Sequence, residues 1–348
     1  MKGRVILSSL TILAILLWGL VDTAISQGTP FFKGKTIRVI CGYPPGGGYD
    51  TYSRVLARHM AKYIPGNPNI IVQNMPGAGS LVAANYIYRV AKPNGLTFGT
   101  FGRSIPLLPI LGDAAAKFDP QKFTWLGTSS SYKNDAYVLI LRPDLPIRTV
   151  EDLRKPGNVA HIGSSRAGSS AHDIPLILKE TLKLNLNIIS GYKGTADLNL
   201  AIERKEIDGR SLGLSAISVS KKEWLDDKKM RKFLQFARIT RHQDLPHVPT
   251  ARELAKDPKN RALIEFAEMP FFFARPFAAP PGIPADRTRI LKEAFMKTHS
   301  DPQYLKQVKR LDIDVSPKSG DEIQKLLKEI AKSPPELIQR YKKILGIK

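Results

Sequence analysis

The stretch TIRVICGYPPGGGYD, residues 36–50, decides the class of fold. Its first six residues are almost all apolar or β-branched, as in a strand buried on both faces of a parallel sheet. A glycine-proline loop follows, and apolar side chains then recur at helical spacing after Asp50, a candidate N-cap residue. The stretch therefore predicts a strand, a glycine-rich loop and a helix in direct succession.

The same unit recurs over residues 70–91 and again over residues 159–184. Repetition of strand, loop and helix predicts parallel strands joined by right-handed crossovers, which is the α/β class of fold. Further helices are predicted from Thr195 and over residues 221–230, 286–299, 301–309 and 319–346.

The length of the chain predicts two domains, since about 320 residues remain after an export signal. We expect residues 27–135 and 271–348 to form a discontinuous first lobe and residues 136–270 to form a second lobe. Each lobe is expected to hold a mostly parallel sheet flanked by helices, with a ligand cleft between the lobes. Two crossing segments would act as a hinge and permit closure around a ligand.

The N-terminus predicts a secretory signal peptide over residues 1–26. Lys2 and Arg4 precede an apolar run, and Ala24 and Ser26 place small residues at positions −3 and −1 of a cleavage site. The alternative is a retained anchor, because the run is near the lower limit of about 17 residues for a spanning helix. The cleavage site favours removal, which leaves a mature periplasmic chain without a transmembrane segment.

The formal net charge of +22 suggests anionic partners. Lysine and arginine are scattered along the chain without a helix-turn-helix or zinc signature, and export separates the protein from nucleic acid, so nucleic acid is not an expected partner. A positive field instead raises encounter rates with small anions or anionic membrane surfaces. Because Cys41 is the single cysteine, an intramolecular disulfide is excluded. Its position at the end of a β-branched run predicts a buried strand residue.

Three loops at predicted strand-to-helix junctions carry small residues: 46–48, 78–80 and 168–170. Ligands of open α/β sheets bind at such junctions, where backbone N–H groups and the positive ends of helices favour an anion. Glycine-rich loops often only turn the chain. Three loops at corresponding positions nevertheless favour an anion site.

Motifs for catalysis are incomplete. The first loop lacks the third glycine of a dinucleotide fingerprint, residues 163–167 lack the final glycine of a nucleophile elbow, and the histidines show no paired metal spacing. The sequence therefore predicts no enzyme activity, no cofactor and no metal site. An exported hydrolase or lyase on the same scaffold, or a basic surface-adhesion protein, are the alternatives.

In their order and spacing, these elements resemble the Bug-type, or tripartite tricarboxylate transporter, extracytoplasmic solute receptors, including the TctC-like proteins. The matching segments are residues 37–50, 74–79, 192–197, 245–253 and 279–284. Residues 118–125 depart from the typical member. The resemblance implies a type II-like periplasmic-binding-protein fold and a ligand carboxylate held by main-chain amides for uptake or sensing. We also expect a monomer. Family ligands include di- and tricarboxylates, and the implied partner is a membrane permease.

The resemblance also implies a set of ligand-binding residues. They are Tyr43, Gly46, Gly47, Gly48 and Asp50 in the first loop, Ala78, Gly79 and Ser80 in the second, and Gly168, Ser169, Ser170, Tyr192 and Gly194 in the moving lobe. Asp50 is expected to cap its helix, since a carboxylate would repel an anionic ligand.

Arg103, Arg166 and Arg210 stand at predicted strand ends or loops that face the cleft. An arginine there could bind a second carboxylate with two hydrogen bonds. The alternative for each is a solvated surface charge. If all three face the cleft, the ligand is expected to be a diacid.

Overall fold

The computed structural model describes residues 29–347, and the predicted signal peptide lies outside them. The strands are β1 Thr36–Cys41, β2 Asn69–Asn74, β3 Thr97–Thr100, β4 Thr124–Thr128, β5 Tyr137–Leu141, β6 Ala160–Gly163, β7 Leu186–Ile189, β8 Gly209–Gly213, β9 Arg231–Phe236, β10 Pro276–Ala279 and β11 Lys318–Ser319. The helices are α1 Gly48–Met60, α2 Leu81–Arg89, α3 Ser170–Leu182, α4 Thr195–Glu203, α5 Leu214–Ser220, α6 Ala251–Leu254, α7 Pro258–Glu268, α8 Ala285–His299, α9 Pro302–Arg310, α10 Gly320–Ala331 and α11 Pro335–Ile344.

The strands form two separate sheets, each the centre of one lobe. Sheet 1 has the order β11-β4-β10-β3-β1-β2, and sheet 2 has the order β7-β6-β8-β5-β9. In sheet 1 the strands β2, β1 and β3 are parallel, while β10 and β4 run antiparallel to their neighbours. In sheet 2 the strands β7, β6 and β8 are parallel and β5 is antiparallel to β8 and β9. The expected two-lobed α/β fold is confirmed, with mixed sheets whose parallel parts carry the predicted loops.

The second half of strand β1, residues 39–41, is buried on both faces, whereas Thr36 and Arg38 are exposed. Val39 packs in a cluster with Leu56 of α1 and Phe295 of α8, whereas the next residue, Ile40, packs with residues of α2. Because successive side chains of a strand point to opposite faces, an uninterrupted apolar run suits a sheet covered by helices on both sides. Val39 and Ile40 are both 0% exposed, and truncating such a residue to alanine costs about 2–5 kcal/mol.

Sheet 2 is covered in the same way. Val138 and Ile140 of β5 pack in one cluster with residues of α4 and α5, while Leu139 and Leu141 belong to a cluster with residues of α3 and α7. The chain passes from sheet 1 to sheet 2 between β4 and β5, and it returns between α7 and β10.

Two predicted helices are wrong. The sequence predicts a helix over residues 221–230, but the α-helix in this region is α5, and residues 222–225 form only a short 3-10 helix. Asp226 accepts a hydrogen bond from the backbone N–H of Lys228 at 2.8 Å, which offers the chain a turn in place of a helix.

The predicted helix over residues 319–346 is in fact two helices, α10 and α11. Pro334 and Pro335 interrupt it, because proline has no N–H to donate and disfavours helical geometry in the residue before it. Pro335 then begins α11 at its first position, where proline is well tolerated.

Helix α11 packs away from the rest of the C-terminal segment. Helix α10 lies on β4 of sheet 1, whereas α11 contacts α3 and α7 beside sheet 2. Tyr341 of α11 is 1% exposed, and its ring centroid lies 5.1 Å from that of Phe266 on α7. The C-terminus is therefore anchored to the second lobe. Among residues 29–347, no helix combines the length and apolar character needed to cross a membrane.

Candidate functional site

A cavity of about 90 Å³ lies between the two sheets. From the first lobe it is lined by Tyr43, Pro44, Gly47, Gly48, Tyr49 and Arg103, with Arg275 from the segment that enters β10. From the second lobe it is lined by Tyr137, Ser165, Ser169, Ser170, Ala171, Gly194, Thr195, Leu198, Arg210, Ser211, Leu212, Gly213 and Ala216. Both lobes thus contribute to one site.

Three helices of nine or more residues begin at the wall of this cavity. Helix α1 begins at Gly48, α3 at Ser170 and α4 at Thr195, and their N-cap residues make no side-chain capping hydrogen bond. Unsatisfied N–H groups and the helix dipole give each helix start a partial positive charge. The backbone alone therefore makes the cavity attractive to anions.

An aspartate in the first turn of each helix supports the loop that precedes it. Asp50 accepts a hydrogen bond from Gly46 N at 3.0 Å, Asp173 from Gly168 N at 2.9 Å, and Asp197 from Lys193 N at 3.2 Å. In each case the donor lies just before the N-cap residue. These carboxylates hold the loops in shape, and none of them lines the cavity.

Asp50 is not the N-cap residue of α1, contrary to expectation. Gly47 occupies that position, and Asp50 lies in the first helical turn. Burial would raise the pKa of the Asp50 carboxyl, but hydrogen bonds from Arg54, Asn74 and the Gly46 amide outweigh it and lower that pKa. Asp50 is therefore an ionised group that shapes the loop and accepts one of its amides.

Arg103 enters the cavity from the loop after β3. Its side chain is held by a hydrogen bond from Nε to the carbonyl of Ala274 at 3.3 Å and by the rings of Phe271 and Tyr132, whose centroids lie 4.4 and 4.8 Å from the guanidinium carbon. Arg103 is 3% exposed, and its Nη1 is buried without a hydrogen-bond partner. Aromatic faces stabilise this cation while leaving a donor free.

Arg275 lies nearby and is also 3% exposed. Its guanidinium carbon is 4.6 Å from the centroid of the Tyr49 ring, Nη1 donates to the carbonyl of Ala274 at 3.4 Å, and Nε has no partner. A Cβ atom at Gly48 would lie 3.4 Å from Arg275 Nη2, so the start of α1 and this guanidinium are in contact.

Arg210 belongs to β8 of the second lobe. Its Nη1 donates to the carbonyl of Thr195 at 3.2 Å and to Asn199 Oδ1 at 3.0 Å, while the buried Nε has no partner. Burial lowers the pKa of the Arg210 guanidinium to about 10, because the charged form has lost water without gaining a carboxylate.

The predicted residues thus fall into two groups. Those that line the cavity are Tyr43, Gly47, Gly48, Arg103, Ser169, Ser170, Gly194 and Arg210, and those that do not are Gly46, Asp50, Ala78, Gly79, Ser80, Gly168 and Tyr192.

The second loop, 78–80, supports the site from behind. Ser80 Oγ accepts a hydrogen bond from Gly102 N at 2.7 Å, and Tyr43 donates its hydroxyl hydrogen to the carbonyl of Gly79 at 3.5 Å. Its residues therefore buttress Tyr43 and the loop that bears Arg103. Arg166, the third arginine expected at the cleft, does not line the cavity and instead pairs with Asp113, with 3.3 Å between Nη2 and Oδ2.

Sequence reasoning missed Arg275, Tyr49, Tyr137 and Thr195. A signal for Arg275 is present, since it is the single charged residue in the apolar run 269–285 and a charge in such a run is seldom left without a role. Tyr137 donates its hydroxyl hydrogen to the carbonyl of Ser211 at 3.0 Å, and its ring lies 5.4 Å from the Arg103 guanidinium carbon. Nothing local in the sequence marks Tyr137 as a residue of the site.

The two lobes are in direct contact around the cavity. Ser104 and Ser170 share a hydrogen bond of 2.9 Å between their hydroxyl oxygens. A Cβ atom at Gly47 would lie 3.3 Å from Thr195 Oγ1, and one at Gly194 would lie 2.9 Å from Pro44 Cδ. The structure therefore represents a closed arrangement in which glycine permits the close approach.

Two α/β lobes that close on a small cavity between them are typical of a solute-binding protein. The chain belongs to the tripartite tricarboxylate transporter family of receptors, whose family model matches residues 52–342. A Cupriavidus necator relative, described as the UPF0065 protein in the gbd 5′ region, is 24% identical over 322 residues, which cover 89% of this chain and 88% of the relative. The chain is thus a solute-binding receptor by family.

Solved structures share the fold. The periplasmic binding protein BugD superposes with a TM-score of 0.71 at 21% identity, covering 90% of this chain and 98% of BugD. MatC from Rhodopseudomonas palustris, solved with bound malate, gives 0.64 at 21% identity and coverages of 89% and 99%. A second R. palustris protein, solved with adipate, gives 0.69 at 18% identity and coverages of 90% and 97%.

Proposed function

We propose that this protein is an exported receptor that binds a small organic carboxylate between its lobes and delivers it to a membrane permease or reports its presence. The observation that carries the proposal is the set of three buried arginines around one cavity. Arg103, Arg210 and Arg275 are each at most 5% exposed, each has a buried N–H group without a partner, and no residue that lines the cavity is acidic.

A buried charge is costly unless an opposite charge or good hydrogen bonds compensate for it. An organic carboxylate would supply both, because it accepts hydrogen bonds from guanidinium groups and from the amides at the helix starts. The two R. palustris structures were solved with malate and with adipate, which are both carboxylates.

We further propose how the protein is exported and which segments move when the lobes close. Cleavage after Ser26 would release a periplasmic chain that begins at Gln27. The lobes would move about the segments near residues 135 and 270, and we propose that α11 moves with the second lobe because it packs on α3 and α7. The mature protein would act as a monomer, without a metal or cofactor.

Binding without turnover is the expected activity. Ser165 bonds to Ser169 at 2.7 Å and Ser170 bonds to Ser104 at 2.9 Å, whereas the buried hydroxyl of the cavity residue Ser211 has no hydrogen-bond partner. The pair His172 and Asp173 does not line the cavity. A nucleophile would need a base within hydrogen-bond reach, and no histidine or carboxylate among the cavity residues provides one.

A thermal-shift screen of the purified mature protein against mono-, di- and tricarboxylates tests this function. Ligands that bind only the folded state raise the melting temperature in a concentration-dependent way. We expect at least one carboxylate to do so, and isothermal titration should then show one saturable site per chain. If no carboxylate stabilises the protein while a neutral solute does, the proposed ligand class is wrong.

A further inference from the structure

Extending the proposed function, on which this step rests, we infer that Asp135 is the internal counter-charge of Arg275 and limits how tightly the cavity holds a carboxylate. Its side chain lies behind the cavity wall and does not line the cavity. From there it balances part of the positive charge that Arg275 presents to a solute. Asp135 is therefore a positioning residue, which acts on the solute through Arg275.

Asp135 belongs to the segment that crosses from β4 to β5, and it is 1% exposed. One carboxylate oxygen, Oδ1, accepts hydrogen bonds from Ala136 N at 2.8 Å and from Ser215 N at 3.2 Å. The other oxygen, Oδ2, is buried without a hydrogen-bond partner. Because no donor balances its charge locally and burial reduces screening by water, Oδ2 acts on nearby cations.

This oxygen lies close behind the wall of the ligand cavity. A Cβ atom placed on Gly213 would lie 3.2 Å from Asp135 Oδ2, and Gly213 lines the cavity. A single glycine therefore separates the free carboxylate oxygen from the place of a solute. On its other side, Asp135 lines a groove of about 700 Å³ between the lobes. The carboxylate thus lies between two cavities and outside the one that holds the arginines.

Arg275 is the cation on which this carboxylate acts. Burial lowers the pKa of the Arg275 guanidinium, but three tyrosines and the Asp135 carboxylate outweigh burial and raise that pKa. The effect is mutual, since burial and the charge of Asp314 raise the pKa of the Asp135 carboxyl, whereas Arg275 lowers it. Each of the two groups therefore stabilises the charged form of the other.

The two groups interact without sharing a hydrogen bond through their free atoms. Arg275 Nε, like Asp135 Oδ2, is buried without a partner. Arg275 Nη2 would lie 3.4 Å from a Cβ atom at Gly48, which lines the cavity. The guanidinium thus keeps donors for a solute while part of its charge is already balanced. A solute carboxylate and Asp135 share one cation, and as like charges they repel each other across Gly213.

The neighbouring carboxylate, Asp314, is compensated by other groups. Its Oδ2 accepts hydrogen bonds from Ser130 Oγ and Ser316 Oγ, each at 2.6 Å, and its Oδ1 accepts one from Asn134 N at 3.3 Å. These donors balance the Asp314 charge where it lies. Asp135, with one free oxygen, is the carboxylate that faces the arginine.

The counter-charge affects how the solute leaves. A buried guanidinium with no partner charge would hold a carboxylate tightly, because dissociation would leave it uncompensated. Asp135 supplies a partner charge when the cavity is empty, so less is lost when the solute departs. The expected result is a lower affinity and a faster dissociation than Arg275 alone would give.

Asp135→Asn tests this inference, because it removes the charge and keeps the shape. The asparagine oxygen can still accept from Ala136 N and Ser215 N. We expect Asp135→Asn to bind malate or adipate more tightly than the wild type, by about fivefold or more in calorimetry, with slower dissociation in stopped-flow measurements. A change that only disturbed the fold would weaken binding instead.

Two control variants separate charge from packing. Asp135→Glu keeps the charge and should bind within about twofold of the wild type. Asp301→Asn removes another buried aspartate, which is 3% exposed, caps α9 and pairs with Lys62; it should leave the affinity unchanged. Circular dichroism checks that each variant is folded. If Asp135→Asn does not fold, Asp135→Ser replaces it, since the serine hydroxyl can also accept from a backbone N–H.

Equal or weaker binding by a folded variant without the charge would overturn the inference. An equal gain in Asp135→Glu would overturn it as well, because the effect would then come from packing. If the wild type binds neither malate nor adipate, the probe is the acid with the largest thermal shift in the carboxylate screen. Failure of the proposed function looks different: the wild type then binds no carboxylate at all. Binding by the wild type without a gain in Asp135→Asn overturns only the inference.

Discussion

Arg166 of the second lobe donates from Nη2 to Asp113 Oδ2 of the first lobe, with 3.3 Å between the two atoms. The two side chains are 30% and 16% exposed, so water partly screens the pair. Both residues lie outside the cavity. This ion pair therefore joins the lobes in the closed arrangement without contacting a ligand directly.

Asp113→Asn should weaken carboxylate binding by about two- to fivefold, since partly exposed ion pairs are worth up to about 1 kcal/mol. The loss should appear as faster dissociation in stopped-flow measurements, because the pair forms only on closure. Asp144→Asn is the control, since Asp144 pairs with Arg142 within the second lobe. Slower association with unchanged dissociation would contradict this role.

Gly47→Val should abolish measurable binding while the unfolding temperature of the ligand-free protein stays within a few degrees. A Cβ atom at position 47 would already lie 3.3 Å from Thr195 Oγ1, so a larger side chain separates the lobes and covers the amides at the start of α1. Gly47→Ala should be intermediate. If the affinity does not decrease from wild type to Gly47→Ala to Gly47→Val, closure of the lobes does not require glycine at position 47.

Arg103→Ala should weaken dicarboxylates at least tenfold more than monocarboxylates, because its free Nη1 would no longer serve a second carboxylate. The measurement is calorimetry on succinate and butyrate with the variant and wild type. Arg38→Ala removes an exposed charge from the same lobe and should change neither affinity. Equal losses for both acids would assign Arg103 to general electrostatics.

His299 predicts loss of stability in acid. Burial lowers the pKa of this imidazole from 6.5 to about 4, outweighing its hydrogen bond to the carbonyl of Phe295. Between these two pH values, His299 binds a proton in the unfolded chain but not in the folded chain. The free energy of unfolding therefore falls as the pH drops from about 6.5 to about 4, by up to about 3 kcal/mol.

Urea titrations of the wild type and of His299→Gln at a series of pH values check this. The variant should lack this acid-sensitive component, although it is less stable at neutral pH because the bond between Nε2 and Ser129 Oγ, 2.8 Å in the wild type, is disturbed. His161→Gln, at an exposed position, should keep the wild-type pH profile. Identical slopes in wild type and His299→Gln would exclude His299 as the cause.

Tyr341→Ala should destabilise the protein by about 3–5 kcal/mol, as expected for a fully buried aromatic side chain. Tyr341→Phe keeps the ring against Phe266 and should cost far less. Chemical denaturation followed by circular dichroism gives both values. A small loss for Tyr341→Ala would mean that α11 is not firmly docked on the second lobe.

Local pattern predicted much of the fold. The strand β1, its loop and helix α1 follow from an apolar run, glycines and helical spacing over about 25 neighbouring residues, and the structure places them there. Helix α7 was missed although its start has a clear signal: Asp257 accepts a hydrogen bond from Lys259 N, and Pro258 takes the first helical position.

What the sequence could not supply depends on contacts between distant segments. Arg275 meets the start of α1 only because β10 inserts between β3 and β4, and no local pattern specifies that strand order. The loop 78–80 consists of small residues like the first loop, yet Ser80 Oγ accepts a hydrogen bond from Gly102 N and does not line the cavity. Which loops reach a cavity is decided by how the sheets pack, and that remains invisible in a single sequence.

The composition of the cavity wall has a consequence for how the receptor would respond to acidity. Among the described residues, no carboxylate, histidine or cysteine lines it, and burial raises the pKa of Tyr137 to about 12. A pH dependence of occupancy would then come from groups behind the wall, such as Glu268, whose pKa burial raises to about 7, or from the solute, which loses a charge as its weaker acid group takes up a proton. In the second case, occupancy would depend on the protonation state of the solute, although the cavity wall contains no carboxylate or histidine that could titrate.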